Sequence, residues 1–219
     1  MMEKKYARLA ALLAAAVLCG NGAPSMAAWW EGNGTEPIKI TEDNASEITS
    51  DVYGNQDHPD ATDTVTGHVE MTGGTVNVDI YGGSSNTGSA TYNTVAISGG
   101  SVNRVVYGGY SGGGAATGNT VALSGSADVT ASDLYGRNDE SKGSGNALVL
   151  DDWSGTVKSL HNFDAIDFEN IDLSQGAKLD VTDEINGQLR RKERGDLDQF
   201  PESGRLCRRR DKSDDHVGY

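Results

Sequence analysis

Short runs of alternating apolar and polar residues recur along the middle of the chain. In one of them, Thr94 to Ser98, Val95 and Ile97 would face one side of a strand and the polar or small residues the other. Four such runs recur at nearly equal intervals: Val69-Glu70-Met71, Val95-Ala96-Ile97, Val121-Ala122-Leu123 and Leu148-Val149-Leu150. A two-residue alternation that repeats at a fixed period predicts a stack of strands, a β-solenoid.

A second signature, an aliphatic residue followed by Tyr-Gly, keeps almost the same period. Its four copies are Val52-Tyr53-Gly54, Ile80-Tyr81-Gly82, Val106-Tyr107-Gly108 and Leu134-Tyr135-Gly136. Because the aliphatic residues point inward, we expect the four tyrosines to face outward or lie at a corner as a ladder, about 4.8 Å apart. The alternative function for these rings is an aromatic strip that binds sugar.

One copy of the repeat is too small to fold alone. Gly99-Gly100 predicts a turn with positive φ, and Val102 and Val106 supply the next inward side chains. Burial of four aliphatic side chains contributes roughly 6–12 kcal/mol, whereas ordering about 26 residues costs roughly 1–2 kcal/mol each. The repeats therefore need one another, since stacking pairs each backbone with the rungs above and below.

We predict an all-β fold, a parallel β-helix of about four to six short rungs. Residues 28–47 have no clear period and are expected to cap the open end, with Trp29 and Trp30 covering the core; an exposed binding patch is the alternative. Residues 48–147 are the Gly-rich repeats, whose Ser, Gly and Asn loops are interpreted as flexible spacers. Residues 148–187 predict shorter strands in a denser section of the same helix.

The N-terminus predicts export. Residues 1–27 combine a basic start at Lys4, Lys5 and Arg8, an apolar run from Leu9 to Leu18, and a small-x-small sequence ending at Ala27, which is typical of a secretory signal peptide. A transmembrane anchor is the alternative, but this apolar run is about half the length that a spanning helix needs. A lipid anchor at Cys19 is disfavoured because the preceding residue is Leu18.

Composition and charge narrow the class of protein. The chain has 29 Gly, 4 Pro, 6% aromatic residues and a net charge of -14. Residues 28–187 carry 24 acidic against 6 basic side chains, so their surface repels nucleic acid and anionic lipid. The two cysteines, Cys19 and Cys207, lie outside the repeats, and no intramolecular disulfide framework is expected.

The signal peptide, the repeats around Asn93-Thr-Val and Val106-Tyr-Gly-Gly-Tyr, and the segment Leu160 to Phe168 together resemble the N-terminal passenger region of bacterial autotransporters. The resemblance covers roughly residues 1–187. It implies a right-handed parallel β-helix that is exported to the periplasm, crosses the outer membrane through a C-terminal β-barrel, and is displayed on the cell surface, often for adhesion or aggregation.

The end of the chain departs from that family. A membrane barrel needs many alternating strands of roughly ten residues, and none follows the repeats. Residues 188–219 instead carry 9 of the 18 basic side chains. We expect this tail to be disordered and interpret it as a frameshifted or truncated reading frame; a natural basic tail is the alternative.

Sequence patterns that could carry chemistry are few. Gly109-Tyr-Ser-Gly-Gly113 has the spelling of a nucleophile elbow but no helix after it, and Gly73 to Asp79 lacks residues that a calcium-binding repeat requires. His58, His68, His161 and His216 are scattered. We predict no catalytic, cofactor-binding or metal site, no cofactor and no enzyme activity.

The function expected from these features is that of a non-enzymatic, secreted or surface-displayed passenger fragment that serves in adhesion, in aggregation or as a structural stalk. Its expected partners are molecules of a host or neighbouring cell surface, together with the export machinery and an outer-membrane barrel; neither nucleic acid nor a small-molecule substrate is expected. The expected location is the cell surface or the medium, or the periplasm if the barrel is never supplied. The alternative is a polysaccharide lyase or hydrolase that uses Asp151, Asp152 or Asp164.

Overall fold

The computed structural model describes residues 30–57, 63–171, 178–186 and 190–191. Regular structure in these residues is almost entirely β-strand, apart from one 3₁₀ turn at Ala45–Glu47. No helix in the described part of the chain is long and apolar enough to cross a membrane. The predicted signal peptide and nearly all of the predicted disordered tail lie outside the described residues.

Two long sheets contain most of the strands. The first sheet consists of β1 (Ile38–Ile40), β3 (His68–Met71), β7 (Thr94–Ile97), β11 (Thr120–Ser124), β13 (Ala147–Asp151), β15 (Ala165–Glu169) and β18 (Arg190–Arg191). The second sheet consists of β2 (Val52–Tyr53), β5 (Ile80–Ser85), β9 (Val106–Ser111), β12 (Val129–Arg137), β14 (Gly155–His161) and β16 (Leu179–Val181), with β17 (Ile185–Asn186) also paired to β14.

Two small sheets complete the rungs. The pair β4 (Thr75–Val76) and β8 (Ser101–Val102) lies at the turn between the first and second sheets. The pair β6 (Ala90–Thr91) and β10 (Ala116–Thr117) lies on the return to the first sheet. The chain thus alternates between the two long sheets in every rung described, and two successive rungs also contribute strands to the small sheets.

Every pairing between these named strands is parallel, and each strand of a sheet comes from a successive rung. The fold is therefore a parallel β-solenoid of about five turns, as the sequence predicts. Val69 pairs with Val95, Val95 with Val121, and Val121 with Leu148, which is the register expected from the apolar pairs.

The core is one continuous cluster that runs along the inside of the stack. In the first sheet, Val95, Ile97, Val121 and Leu123 are at most 1% exposed, while the residues between them face outward and are half-buried. The second sheet contributes Val52, Ile80, Val106, Leu134 and Leu160. Because inward apolar side chains at equivalent positions stack from rung to rung, this thin, Gly-rich chain can exclude water from its core.

Glycine is required at the corner after β7. Gly100 has φ +82°, and a Cβ added there would lie 2.5 Å from the carbonyl oxygen of Gly74 in the rung below. Since that distance is closer than real Cβ contacts, the rungs could not approach each other with any other residue at this corner. The predicted positive-φ turn at Gly99-Gly100 is thus found at Gly100.

The first rung starts inside the segment predicted as a cap. Ile38–Ile40 forms β1 and pairs with β3, so it belongs to the solenoid itself. Trp30 packs against the core and its carbonyl oxygen accepts a hydrogen bond from the backbone N–H of Tyr53. The covering role expected of the tryptophans thus fits Trp30, and Trp29 lies outside the described residues.

The rung between β13 and β15 is shorter than the other rungs described. Leu148 pairs with Val121 of the rung before it and with Ile166 of the rung after it. Far fewer residues separate Leu148 from Ile166 than separate Val121 from Leu148. The cause is local: β14 ends at His161 and β15 begins at Ala165, and this short link replaces the long loop that earlier rungs carry at the same place. This is the section that the sequence predicts to be denser.

Candidate functional site

The tyrosines of the second sheet form a stack along the outside of the solenoid. Ring centroids lie 4.8 Å apart between Tyr53 and Tyr81, 5.0 Å between Tyr81 and Tyr107, and 4.8 Å between Tyr107 and Tyr135. The first two pairs are within about 12° of parallel, and the third is tilted by 31°. The predicted tyrosine ladder is therefore confirmed, with the spacing of the strands that carry it.

The stacking covers the ring faces on which a sugar would pack. A pyranose packs on the open face of an aromatic ring, but both faces of Tyr81 and Tyr107 are covered by their neighbours in the ladder. Tyr110 adds edge contacts, with its ring 5.8 Å from Tyr81 and 5.6 Å from Tyr107 at nearly right angles. The ladder is thus arranged to hold rungs together rather than to present a sugar-binding strip.

Burial and nearby carboxylates disfavour ionisation of the ladder. Burial, followed by the negative charge of Asp79, raises the pKa of Tyr81 well above its ordinary value. Burial, followed by the neighbouring ring of Tyr135 and by Asp79, raises the pKa of Tyr107 to about 12. The phenols therefore remain neutral donors at any physiological pH, which does not suit general-base chemistry.

His161 continues the ladder beyond the last tyrosine. Its ring lies 4.2 Å from that of Tyr135 and within 16° of parallel, and Asn186 approaches its Nδ1 at 3.4 Å. Burial lowers the pKa of His161, although Glu184 and Asp133 act in the opposite direction. The sequence alone suggested an isolated histidine; the signal that could have found it is its position one repeat period after Tyr135.

A second ladder, made of buried asparagines, runs at the start of the first sheet. Asn93, Asn119 and Asn146 are each 0% exposed. The side-chain amide of Asn93 donates to Oδ1 of Asn119 at 2.7 Å, and that of Asn119 donates to Oδ1 of Asn146 at 2.8 Å. Each Oδ1 also accepts the backbone N–H of the preceding asparagine, at 3.0 Å in both cases. This satisfies polar groups that would otherwise be costly to bury.

The asparagine ladder ends on a carboxylate. Oδ2 of Asp164 accepts the backbone N–H of Asn146 at 2.9 Å and forms an ion pair with Nη1 of Arg137 at 2.6 Å. The Arg137 side chain is only 5% exposed, and it also donates to the carbonyl oxygens of Asn162 and Glu140. Because Asp164 is held this way, its carboxylate terminates the ladder at the one short rung, between β13 and β15.

The other two aspartates proposed for an enzyme lie elsewhere. Asp151 is the last residue of β13 and Asp152 follows it, whereas Asp164 lies beside Asn146 at the start of that strand. The length of this strand separates the two positions, or about 16 Å at roughly 3.3 Å per residue. Paired carboxylates of glycosidases lie roughly 5–10 Å apart. The structure therefore does not bring Asp164 together with Asp151 or Asp152.

The sequence that matches a nucleophile elbow, Gly109 to Gly113, begins within a strand. Gly109 to Ser111 belongs to β9, and the Ser111 hydroxyl is buried and donates to the carbonyl oxygen of Gly88 at 2.7 Å. Within the described residues, no group of three or more His, Cys, Asp or Glu side chains is placed to hold a metal ion. His58 and His216 lie outside those residues.

The loops between rungs, which the sequence predicts to be flexible spacers, are hydrogen-bonded to one another in the parts described. Asp57 accepts the hydroxyl of Ser85 at 2.6 Å and the backbone N–H of Asn86 at 2.9 Å. In a neighbouring rung, Asn138 exchanges two hydrogen bonds with the backbone of Ser111. The backbone N–H of Gly112 also donates to the carbonyl oxygen of Ser85.

Tyr92 differs from the stacked tyrosines because it is 69% exposed. Its φ is +54°, and the equivalent residues in the next two rungs are Gly118 and Gly145, with φ of +68° and +74°. A non-glycine residue is uncommon in this conformation. Tyr92 therefore places an aromatic ring on the outside of the solenoid where the next two rungs have a glycine.

Comparisons with known proteins add no relatives. No protein-family model, no curated protein and no solved structure matches the chain.

Proposed function

We propose that the chain is a non-enzymatic passenger of the autotransporter type, exported and displayed as a rod. The observation that carries this proposal is the saturation of its repeated polar and aromatic side chains by one another. The rings of Tyr81 and Tyr107 stack on their neighbours, and the amides of Asn93 and Asn119 bond along the ladder. Groups used in this way stabilise a rod and are unsuited to acid–base catalysis.

Adhesion is the role proposed for the outer surface of this rod. Tyr92 supports it, because an exposed aromatic ring in an uncommon backbone conformation is the kind of residue that anchors a partner. The partner proposed is a molecule on a host or neighbouring cell surface. The acidic character of residues 28–187 disfavours nucleic acid and anionic lipid as partners.

A binding assay tests this proposal. The purified protein is incubated with cultured cells, extracellular-matrix proteins and a glycan array, alongside a Tyr92→Gly variant. Glycine occupies the equivalent position in the next two rungs, so the variant should keep the circular dichroism spectrum of the parent. We expect binding by the parent and its loss in the variant. Binding by neither protein to any of the three would leave the stalk role alone.

The enzyme alternative would use Asp151 together with an acidic residue of the next rung. Asp151 pairs in register with Glu169 of the next rung, so both acids lie on neighbouring strands of the first sheet. Turnover of an acidic polysaccharide, lost on Asp151→Asn, would favour this alternative over adhesion. An unchanged rate in that variant would exclude Asp151 from catalysis.

Export is proposed from residues 1–27 and is tested by fractionation. A tagged chain expressed in a bacterium with an outer membrane should appear in the periplasm, shortened by the predicted signal peptide. Retention of the full-length chain in the cytoplasm would contradict export.

A further inference from the structure

Two short sequences at the start of the solenoid have the spelling of N-glycosylation acceptors, Asn-x-Ser/Thr without proline. They are Asn33-Gly34-Thr35 and Asn44-Ala45-Ser46. Each also has an acidic residue two positions before the asparagine, Glu31 and Glu42 respectively, a position at which bacterial oligosaccharyltransferases favour an acid. By sequence alone the two sites are equivalent.

The structure leaves the Asn33 side chain accessible to a glycosylating enzyme. Asn33 and Thr35 are exposed, and they lie in a bend that begins where the chain leaves its bridge to Asn55. The Oδ1 atom of Asn33 accepts the backbone N–H of Thr35 at 2.9 Å. This Asx turn directs the amide oxygen back to the chain, and among the described residues the Nδ2 atom donates no hydrogen bond. No described residue therefore occupies the nucleophilic atom of the acceptor.

The structure makes Asn44 unavailable. Its Nδ2 atom donates to the carbonyl oxygen of Lys39 at 3.0 Å, and its Oδ1 atom accepts the backbone N–H of Thr41 at 2.8 Å. The middle residue of this acceptor, Ala45, is only 4% exposed and belongs to the core. Transfer to Asn44 would require both side-chain hydrogen bonds to break and Ala45 to leave the core.

We propose that Asn33 is an N-glycosylation site of the folded protein and that Asn44 is not. The co-substrate is an oligosaccharide linked to a polyprenyl pyrophosphate. The Nδ2 atom of Asn33 forms a bond to C1 of the first sugar, the bond from C1 to the pyrophosphate oxygen breaks, and polyprenyl pyrophosphate leaves. The amide nitrogen loses one proton to a base of the transferase, so atoms and charge balance.

The position of Asn33 is compatible with a bulky modification. Asn33 lies at the edge of the first rung, outside the tyrosine and asparagine ladders, so a glycan would project from the end of the described part of the solenoid. Gly34 cannot be replaced in this bend, because its φ is +79° and an added Cβ would lie 2.3 Å from the carbonyl oxygen of Thr66. The acceptor geometry is thus maintained by contacts between rungs.

In vitro transfer tests the proposal without depending on export. The folded full-length protein is incubated with a single-subunit bacterial oligosaccharyltransferase and its purified lipid-linked oligosaccharide, and the products are mapped by mass spectrometry. Matched variants are Asn33→Gln, Thr35→Ala and Asn44→Gln. Synthetic peptides covering residues 28–38 and 39–49 report the two acceptors without the fold.

We expect one glycan per folded chain, attached at Asn33, kept in Asn44→Gln and lost in Asn33→Gln and Thr35→Ala. Both peptides should be modified, which would assign the protection of Asn44 to the fold. Three results would overturn the proposal: a folded chain left unmodified, a glycan on Asn44 of the folded chain, or a peptide of residues 28–38 that is not an acceptor.

Discussion

Removing the central amide of the asparagine ladder should destabilise the solenoid strongly. The side chain of Asn119 accepts hydrogen bonds from the backbone and side-chain nitrogens of Asn93 and donates to Ala90 and Asn146. In Asn119→Ala at least three buried groups lose a partner, at about 1–3 kcal/mol each. The low end of that range already gives a loss of about 3 kcal/mol, a large share of a typical stability of about 5–15 kcal/mol.

Urea denaturation followed by circular dichroism measures this loss. With a denaturant slope of about 1–3 kcal/mol per molar urea, the midpoint of Asn119→Ala should fall by about 1–3 M. Asn103→Ala is the matched control, since Asn103 also bonds to an asparagine of the preceding rung, Asn77, but at an exposed position. It should change stability by less than about 0.5 kcal/mol. Equal effects of the two substitutions would refute the assignment of stability to burial of the ladder.

Three further predictions concern the other buried groups. Arg137→Met should cost about 3–5 kcal/mol because it leaves the Asp164 carboxylate without its ion pair, and adding Asp164→Asn, which continues the asparagine ladder, should recover part of that loss in a double-mutant cycle. Burial lowers the pKa of His161, so its contribution to stability is present above the unfolded-state pKa of about 6.5 and is lost as the pH falls through the folded-state pKa. His161→Tyr should remove this part of the pH dependence of the melting temperature. Because the pKa of Tyr107 is raised to about 12, stability should fall between about pH 10 and pH 12, and a tyrosinate absorbance titration in which all eight tyrosines ionise near pH 10 would contradict it.

Much of the fold could be predicted because a solenoid repeats one local pattern. The pair Val95 and Ile97 has copies at nearly constant spacing, and parallel strands in register place copies directly above one another. The same reasoning predicts the tyrosine stack, since a side chain at one position of a rung lies one strand spacing from its copy. Both predictions needed only the period and the two-residue alternation.

The asparagine ladder was not predicted, although two of its residues belong to the repeated sequence. Asn93 and Asn119 begin the repeated Asn-Thr-Val sequence, and a polar residue next to a Gly-rich loop is ordinarily exposed. Their burial depends on the neighbouring rungs, which supply both the cover and the hydrogen-bond partners. His161 was missed for a related reason, because the sequence shows a change of residue type where the structure shows an unbroken stack.

The sequence by itself determined the strand type, the period and the inward residues, because these follow from local alternation and from repetition of the same spacing. Only the tertiary structure decided which polar groups are buried, which acids lie together and which of the two N-glycosylation acceptor sequences is accessible. Those properties depend on contacts between residues a full repeat apart, such as Asn93 with Asn119, and on single hydrogen bonds such as that of Asn44 with Lys39. Neither kind of contact leaves a pattern in the neighbouring sequence.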